Sequence, residues 1–432
     1  MGRHDRAGAA ARRDAETEEA GGAAARTEAD AARTRGPTVL LASTCAWASV
    51  PKLAAALAGT PCVVTALAPT KHLLHLTSAV TRRFRYRATR PLVSLAEAIA
   101  KARPDLIVAC DERAVGHLQR LHARTADTEL RALIERSLGR PDGYRPALSR
   151  LAVTALAASL GVNVPATAVV RSRADLRDWA PAHPLPWVIK TDGSWGGMGV
   201  RVVHSVAEAE RAFAALSRPF NLFHALRRLL LDGDAFWLTP WLHLPSRQVT
   251  VQTFILGRPA NCAIAAWEGE TLSGVAVEVV AGSGETGPAA VVRQAVDPQM
   301  LEAGASLVRA LGLSGLVGFD FIIEASTGRA FLLELNARAT PIGHLRLGSG
   351  RDLVGALIAR LAGRPQPDWP AETVCDTIAL FPQAVLSFKD HPILANAYHD
   401  VPVGEPRLVR ALLRSRSRRR RPPLFIAVAP AE

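Results

Sequence analysis

The chain has 432 residues and a formal net charge of +13, and this length is expected to form two or three domains. No apolar run approaches the roughly 20 residues that span a bilayer, and the charged N-terminus lacks the hydrophobic segment of a secretory signal. The five cysteines are scattered and include no CxxC pair, which argues against a zinc site and predicts a cytoplasmic protein.

The N-terminal third of the chain predicts a disordered segment followed by a parallel α/β domain. Residues 1–36 carry almost no large apolar side chains and are expected to be disordered. Order is expected from Pro37, where short apolar strands alternate with helices: strands at Val39–Ala42, Cys62–Ala66 and Leu106–Ala109, helices at Val50–Leu57, Leu92–Ala102 and Ala114–Leu121. This βαβ pattern predicts a parallel sheet. Asp111 and Glu112 follow a strand's carboxyl end, where such sheets bind ligands, although a helix N-cap explains Asp111 equally well.

A glycine-rich loop joins two predicted strands between Trp187 and Val203. The first strand ends in Lys190, and the loop contains Gly193, Ser194, Gly196, Gly197 and Gly199. Because the loop leads into a strand, it differs from the Walker loop and the dinucleotide fingerprint, which lead into a helix. Glycines allow backbone N–H groups to approach phosphate oxygens, and Lys190 adds a point charge. By itself, the pattern is equally consistent with an ordinary glycine-rich hairpin.

A second predicted hairpin, Gly315 to Arg338, places acidic groups among apolar residues. With a turn centred near Thr327, Asp320 lies directly opposite Glu334, and strand alternation puts Asn336 on the same face. Alternation also assigns the apolar face to Phe319, Phe321, Leu333 and Leu335. Facing carboxylates are destabilising unless one is protonated or a cation lies between them, and these oxygen ligands suit a hard ion such as Mg²⁺. The alternative is a solvated hairpin face.

In this order and spacing, the two motifs resemble those of the ATP-grasp superfamily of carboxylate–amine ligases and related enzymes. The resemblance covers roughly residues 146–364. It implies an α/β fold in which a Rossmann-like domain (37–145) precedes a two-lobed ATP-grasp domain (146–365) with mixed and antiparallel sheets. A small C-terminal accessory region (366–413) and an arginine-rich tail (414–432) complete the predicted domains.

The resemblance also implies roles for individual residues. Lys190 would contact ATP phosphate, the loop from Gly193 to Gly199 would close over the triphosphate, and Mg²⁺ or Mn²⁺ would be held by the hairpin residues Asp320, Glu334 and Asn336. Arg338 matches the arginine that many members place beside an acyl-phosphate, and both Arg338 and Lys190 are predicted to be catalytic. Arg150 stands where similar proteins usually carry a phosphate-binding lysine, which preserves charge but changes geometry.

Three further positions concern adenine and substrate. In the stretch corresponding to the family's hinge strand, Pro240 has no N–H, so adenine contacts would come from Trp241 or Leu242. Gln248 stands where relatives often have Glu. His344 and Arg346, in the loop after the metal strand, are candidate contacts to the acceptor substrate, although a histidine satisfied within the loop is at least as consistent with the sequence.

The predicted function is an ADP-forming ligase that activates a carboxylate for attack by an amine or similar nucleophile, with a homodimer as a possible assembly. A biotin-carboxylase-like enzyme and a non-catalytic nucleotide-binding regulator are the alternatives, the latter suggested by Arg150, Pro240 and Gln248. Nucleic acid is not expected as a partner, because much of the excess positive charge lies in the run Arg414 to Arg421, with no aromatic interleaving.

Overall fold

Three β-sheets organise the chain in the computed structural model, which describes residues 36–191, 199–217, 248–282, 288–295 and 297–417. The first sheet is parallel, with strand order β3-β2-β1-β4. Its strands are β1 (Thr38–Ala42), β2 (Val63–Ala68), β3 (Arg82–Arg85) and β4 (Leu106–Ala109). The predicted sheet is therefore present, but β3 was not foreseen: its sequence, RRFR, is charged and lies at the sheet edge, where burial does not select apolar residues.

Helices cover both faces of this sheet, which explains its almost continuously apolar strands. Val39 and Leu41 pack in the core that includes α1 (Val50–Ala58), whereas Leu40 and Ala42 pack in the core that includes the following helices. Those helices are α2 (Pro91–Ala102), α3 (Glu112–Arg124) and α4 (Thr128–Leu138). The N-cap prediction for Asp111 is confirmed, because its carboxylate accepts a hydrogen bond from the Ala114 backbone N–H at 2.9 Å.

Two helices, α5 (Pro141–Ala147) and α6 (Arg150–Ser159), lead to a small antiparallel sheet of strand order β5-β8-β6-β7. Its strands are β5 (Thr167–Val170), β6 (Trp187–Thr191), β7 (Val200–Val203) and β8 (Val249–Thr253), with α7 (Arg173–Trp179) and α8 (Val206–Leu216) packed on one face. Trp187 and Ile189 point into that packed face, so strand alternation directs Lys190 to the opposite face.

The largest sheet has seven strands in the order β13-β12-β9-β10-β11-β14-β15. The strands are β9 (Gly257–Trp267), β10 (Glu270–Gly282), β11 (Ala289–Gln294), β12 (Gly315–Glu324), β13 (Ala330–Asn336), β14 (Thr377–Ala379) and β15 (Tyr398–His399). One face packs against α9 (Gln299–Leu311) and the other against α10 (Leu353–Leu361). Strand β14, from the predicted C-terminal accessory region, extends this sheet by pairing with β11. Helices α11 (Gln383–Ser387) and α12 (Pro406–Ser417) complete the described elements.

The β12–β13 hairpin has the predicted register at Asp320 and a different register nearer its turn. Asp320 pairs with Glu334, as the turn position predicted, but Phe321 then pairs with Leu332. The resulting β-bulge at Leu333 reverses the alternation, so Leu332 is buried and Leu333 is not. The assignment of Leu333 to the apolar face was therefore wrong. Among the described helices, none is long and apolar enough to cross a membrane.

Candidate active site

The two carboxylates of the hairpin lie beside a pair of amide side chains. Asn336 Nδ2 donates to one oxygen of Asp320 at 3.2 Å, and Asn261 Nδ2 donates to the other at 2.6 Å. Burial, followed by the neighbouring Glu334 carboxylate, raises the pKa of Asp320 from 3.8 to about 6. Burial is the main cause, so a bound cation would favour the ionised form of Asp320.

Asn261 was missed by the sequence analysis. It lies on β9, directly opposite Asp320 on β12. A polar residue within the apolar run Ala260 to Trp267 could have marked Asn261 as a site candidate. Its partner, Asp320, is 59 residues away in sequence, so the sequence did not show the contact.

Arg150 connects the hairpin to the small sheet. As the first residue of α6, its guanidinium donates to Glu334 Oε1 and to the Thr191 carbonyl oxygen, each at 2.9 Å. The helix start is fixed by Ser149, whose hydroxyl accepts from the Ala152 N–H. Arg150 therefore pairs with one of the two predicted metal-binding carboxylates and reaches the residue after Lys190.

Lys190 is held by a glutamine that the sequence analysis did not select. Its Nζ donates to Gln252 Oε1 at 2.6 Å, and Gln252 Nε2 donates to Thr167 Oγ1 at 3.0 Å. Burial, and then the charge of Arg150, lowers the pKa of Lys190 to about 8. Gln252 is buried on β8, whereas Gln248, to which the sequence analysis drew attention, is exposed.

The glycine loop and hinge stretch are only partly described. Gly199 is described, and its carbonyl oxygen accepts from the Thr191 N–H at 3.0 Å. Other predicted nucleotide contacts lie outside the described residues: Gly193, Ser194, Gly196, Gly197, Trp241 and Leu242. Their roles stay predictions.

Arg338 lies where the hairpin meets the N-terminal sheet. Its Nε donates to Glu112 Oε1 at 2.6 Å, one terminal nitrogen donates to Asn336 Oδ1 at 3.0 Å, and the other to the Ala339 carbonyl oxygen at 3.1 Å. The guanidinium also lies 5.9 Å from the centre of the Trp47 ring. Burial alone would lower the pKa of Arg338, but the carboxylates of Glu112 and Asp320 more than offset this and raise it.

His344 and Arg346 lie in a different polar cluster. His344 Nε2 is 3.1 Å from both carboxylate oxygens of Asp400, which also pairs with Lys52 on α1. Arg346 is 3.8 Å from Glu372 Oε1 and stacks 5.6 Å from the Trp369 ring centre. Both side chains thus contact the C-terminal region, and their substrate role stays a prediction.

The structure gathers six predicted site residues around the hairpin end: Arg150, Lys190, Asp320, Glu334, Asn336 and Arg338. Within the described ranges, no group of three or more His, Cys, Asp and Glu side chains could hold a metal ion. A magnesium ion held here would use the two carboxylates, completed by phosphate and water, and the Asn336 amide oxygen would join them by giving up its hydrogen bond from Arg338. This donor set fits the ion, because Mg²⁺ typically takes one or two carboxylates plus phosphate oxygens.

Solved structures share this architecture at low sequence identity. An L-amino acid ligase from Bacillus licheniformis is 14% identical, with a TM-score of 0.55 over 76% of this chain and 75% of its own. An N5-carboxyaminoimidazole synthetase from Staphylococcus aureus, complexed with ADP, is 13% identical, with a TM-score of 0.53 over 77% and 79%. The dimeric biotin carboxylase domain of a Hydrogenobacter thermophilus 2-oxoglutarate carboxylase, in complex with MgADP and bicarbonate, is 11% identical, with a TM-score of 0.52 over 78% and 71%.

No protein-family model matches the chain, and no curated protein sequence is significantly similar to it. The fold is nevertheless that of ATP-grasp enzymes, as the resemblance of the two motifs predicted.

Proposed function

We propose that this chain is an ATP- and Mg²⁺-dependent ligase that activates a substrate carboxylate as an acyl-phosphate. The observation that carries the proposal is the pairing of Asp320 with Glu334 beside Lys190, Arg150 and Arg338. A carboxylate oxygen attacks the γ-phosphorus of ATP and ADP leaves. An amine or similar nucleophile then attacks the acyl carbon, loses its proton and displaces phosphate.

Each charged side chain has a role that follows from its environment. Lys190 binds phosphate oxygens from the face of β6 opposite the packed helices, and Gln252 orients its ammonium group. Arg150 balances the charge of Glu334 and can exchange this partner for a phosphate. Asp320, Glu334 and Asn336 would hold Mg²⁺, which would neutralise phosphate charge when bound.

Arg338 completes the site on the substrate side. Its planar guanidinium suits a carboxylate in the first step and the developing oxyanion in the second. The amine nucleophile, the homodimer and the cytoplasmic location belong to this proposal, as does the assignment of ATP and Mg²⁺ as cofactors.

Carboxylation is the second candidate, because two of the similar structures are a carboxylase domain and a carboxyaminoimidazole synthetase. In that reaction bicarbonate would take the place of the organic carboxylate, and the same charged residues would bind it and the phosphates. A non-catalytic nucleotide-binding protein is the third candidate, because Arg150 occupies one predicted metal-binding carboxylate.

A panel of carboxylates, including bicarbonate, combined with amine acceptors separates these functions. The ligase should release ADP and phosphate in stoichiometric amounts with a product that contains the carboxylate and the amine. A carboxylase would respond to bicarbonate alone among the carboxylates. Release of AMP and pyrophosphate would contradict the acyl-phosphate route, and nucleotide binding without turnover across the panel would favour the non-catalytic protein.

A further inference from the structure

Arg338 is held by one acceptor that is distant in sequence. Two of its acceptors, Asn336 and Ala339, lie within two residues of it along the chain. The third is Glu112, the first residue of α3 in the N-terminal sheet domain, whose carboxylate accepts from Nε at 2.6 Å. Only Glu112 among these partners carries a charge opposite to that of the guanidinium.

The guanidinium also has an electrostatic attraction towards the predicted metal site. It donates to Asn336, which in turn donates to Asp320, and the charges of Arg338 and Asp320 interact directly. A guanidinium released from Glu112 would be attracted more strongly to the Asp320 carboxylate, a predicted ligand of the divalent cation. The Glu112 carboxylate is a competing negative partner for the guanidinium, 2.6 Å from Nε.

The backbone on each side of the Glu112–Arg338 ion pair is anchored by hydrogen bonds. Asp111, the N-cap before Glu112, is buried and also accepts from the Thr44 backbone N–H at 2.6 Å and from the Thr44 hydroxyl at 2.7 Å. On the other side, the Ala339 N–H donates to the Ala109 carbonyl oxygen at 3.0 Å, which ties the segment after Arg338 to the end of β4. The ion pair therefore joins two anchored backbones.

We propose that Glu112 is a positioning residue that holds the Arg338 guanidinium for the substrate and keeps it from pairing with Asp320 and Glu334. The substrate part of this inference rests on the proposed function, whereas the effect on the metal site does not. Glu112 would act through Arg338 and would touch neither nucleotide nor metal.

The test compares Glu112→Ala and Glu112→Gln with the wild-type chain. The first readout is the Mg²⁺ concentration that gives half-maximal binding of a non-hydrolysable ATP analogue, and the second is the KM for the best carboxylate of the panel. Glu112→Ala should raise both by about tenfold, the effect typical of losing a charge-assisted hydrogen bond. Analogue affinity at saturating Mg²⁺ should stay unchanged. Glu112→Gln should recover part of the loss, because its amide oxygen can still accept from Nε but carries no negative charge.

Glu129→Ala is the matched control, since Glu129 is also a first-turn glutamate, on the next helix, and its position is exposed. It should leave both readouts unchanged. Wild-type Mg²⁺ dependence in Glu112→Ala, or a glutamine variant no better than the alanine variant, would overturn the inference. A wild-type chain that turns over no substrate of the panel would instead contradict the proposed function, while the Mg²⁺ readout would still decide the role of Glu112.

Discussion

At the scale of single residues, Glu334 has two neighbours of opposite effect, since Asp320 repels its carboxylate and Arg150 attracts it. We expect Glu334→Gln to abolish ATP turnover and to weaken Mg²⁺-dependent nucleotide binding, because the amide cannot supply the ligand charge. The fold should persist, since the change removes a repulsion, and the ion pair that is lost is part-exposed and contributes little. Turnover assays and circular dichroism check both statements.

Glu278→Gln is a suitable control for that variant. Glu278 also pairs with an arginine, Arg258, on the same sheet, and it lies on β10, two strands from Asp320. Glu278→Gln should leave ATP turnover unchanged. If Glu334→Gln also leaves turnover unchanged, the assignment of Glu334 to a metal site is refuted.

The raised pKa of Asp320 predicts a specific pH dependence for the nucleotide-free protein. The folded pKa of about 6 exceeds the ordinary 3.8, so the folded state holds this proton more tightly than the unfolded state. The stabilising contribution is therefore full below about pH 4 and is lost as pH rises through 6, with a magnitude on the order of 3 kcal/mol.

Thermal unfolding of the wild-type chain and of Asp320→Asn across pH 4 to 8 measures this effect, because the amide cannot titrate. The variant should lose this part of the pH dependence and should be the more stable protein near pH 8. Parallel stability curves for the two proteins would show that Asp320 has an ordinary pKa.

At the scale of elements, the bulge in β13 reverses the burial of two neighbouring leucines. We expect Leu332→Ala to lower the free energy of unfolding by about 2–5 kcal/mol, as is typical of a buried leucine. Leu333→Ala should cost much less, since Leu333 is only partly buried. Urea unfolding of the two variants tests the register, and the opposite order would mean that the strand alternates without a bulge.

The secondary-structure elements also show which parts of the fold and site could be predicted from the sequence. Local patterns were sufficient for the parallel strands and for the facing of Asp320 and Glu334, because a hairpin register depends on the turn between its own strands. They failed for β3, whose edge position removes the apolar signal, and for the bulge, which the sequence does not mark. Asn261, Gln252 and Glu112 were not assigned as site partners because each meets its partner across 59 to 226 residues.

At the scale of the whole molecule, the C-terminal region adds two strands to the largest sheet and also contacts earlier parts of the chain through charged side chains. Asp400 from this region pairs with Lys52 of α1 and with His344 of the loop after β13. Burial alone would raise the pKa of Asp400, but Lys52 and His344 lower it. This cluster joins three parts of the chain that the sequence analysis treated as separate.

The arginine-rich end should be separable from nucleotide binding. We expect removal of residues 418–432, which spares α12, to reduce salt-sensitive binding of polyanions such as heparin without changing ATP affinity. Lys190→Ala should do the reverse and weaken ATP binding by about 1.5–3 kcal/mol, the range of a charge-assisted hydrogen bond. Calorimetric titration with ATP distinguishes the two variants. A loss of ATP binding in the folded truncated protein would contradict this separation.

The central claim, that a carboxylate is activated by phosphorylation at this site, is tested most directly by isotope transfer. A substrate carboxylate labelled with heavy oxygen should pass one labelled oxygen to the released phosphate, because the oxygen that attacks the γ-phosphorus leaves with it when the nucleophile attacks the acyl carbon. Mass spectrometry of the phosphate formed with ADP gives the answer. Labelled phosphate in proportion to product is the predicted result, and unlabelled phosphate accompanied by product would contradict the account.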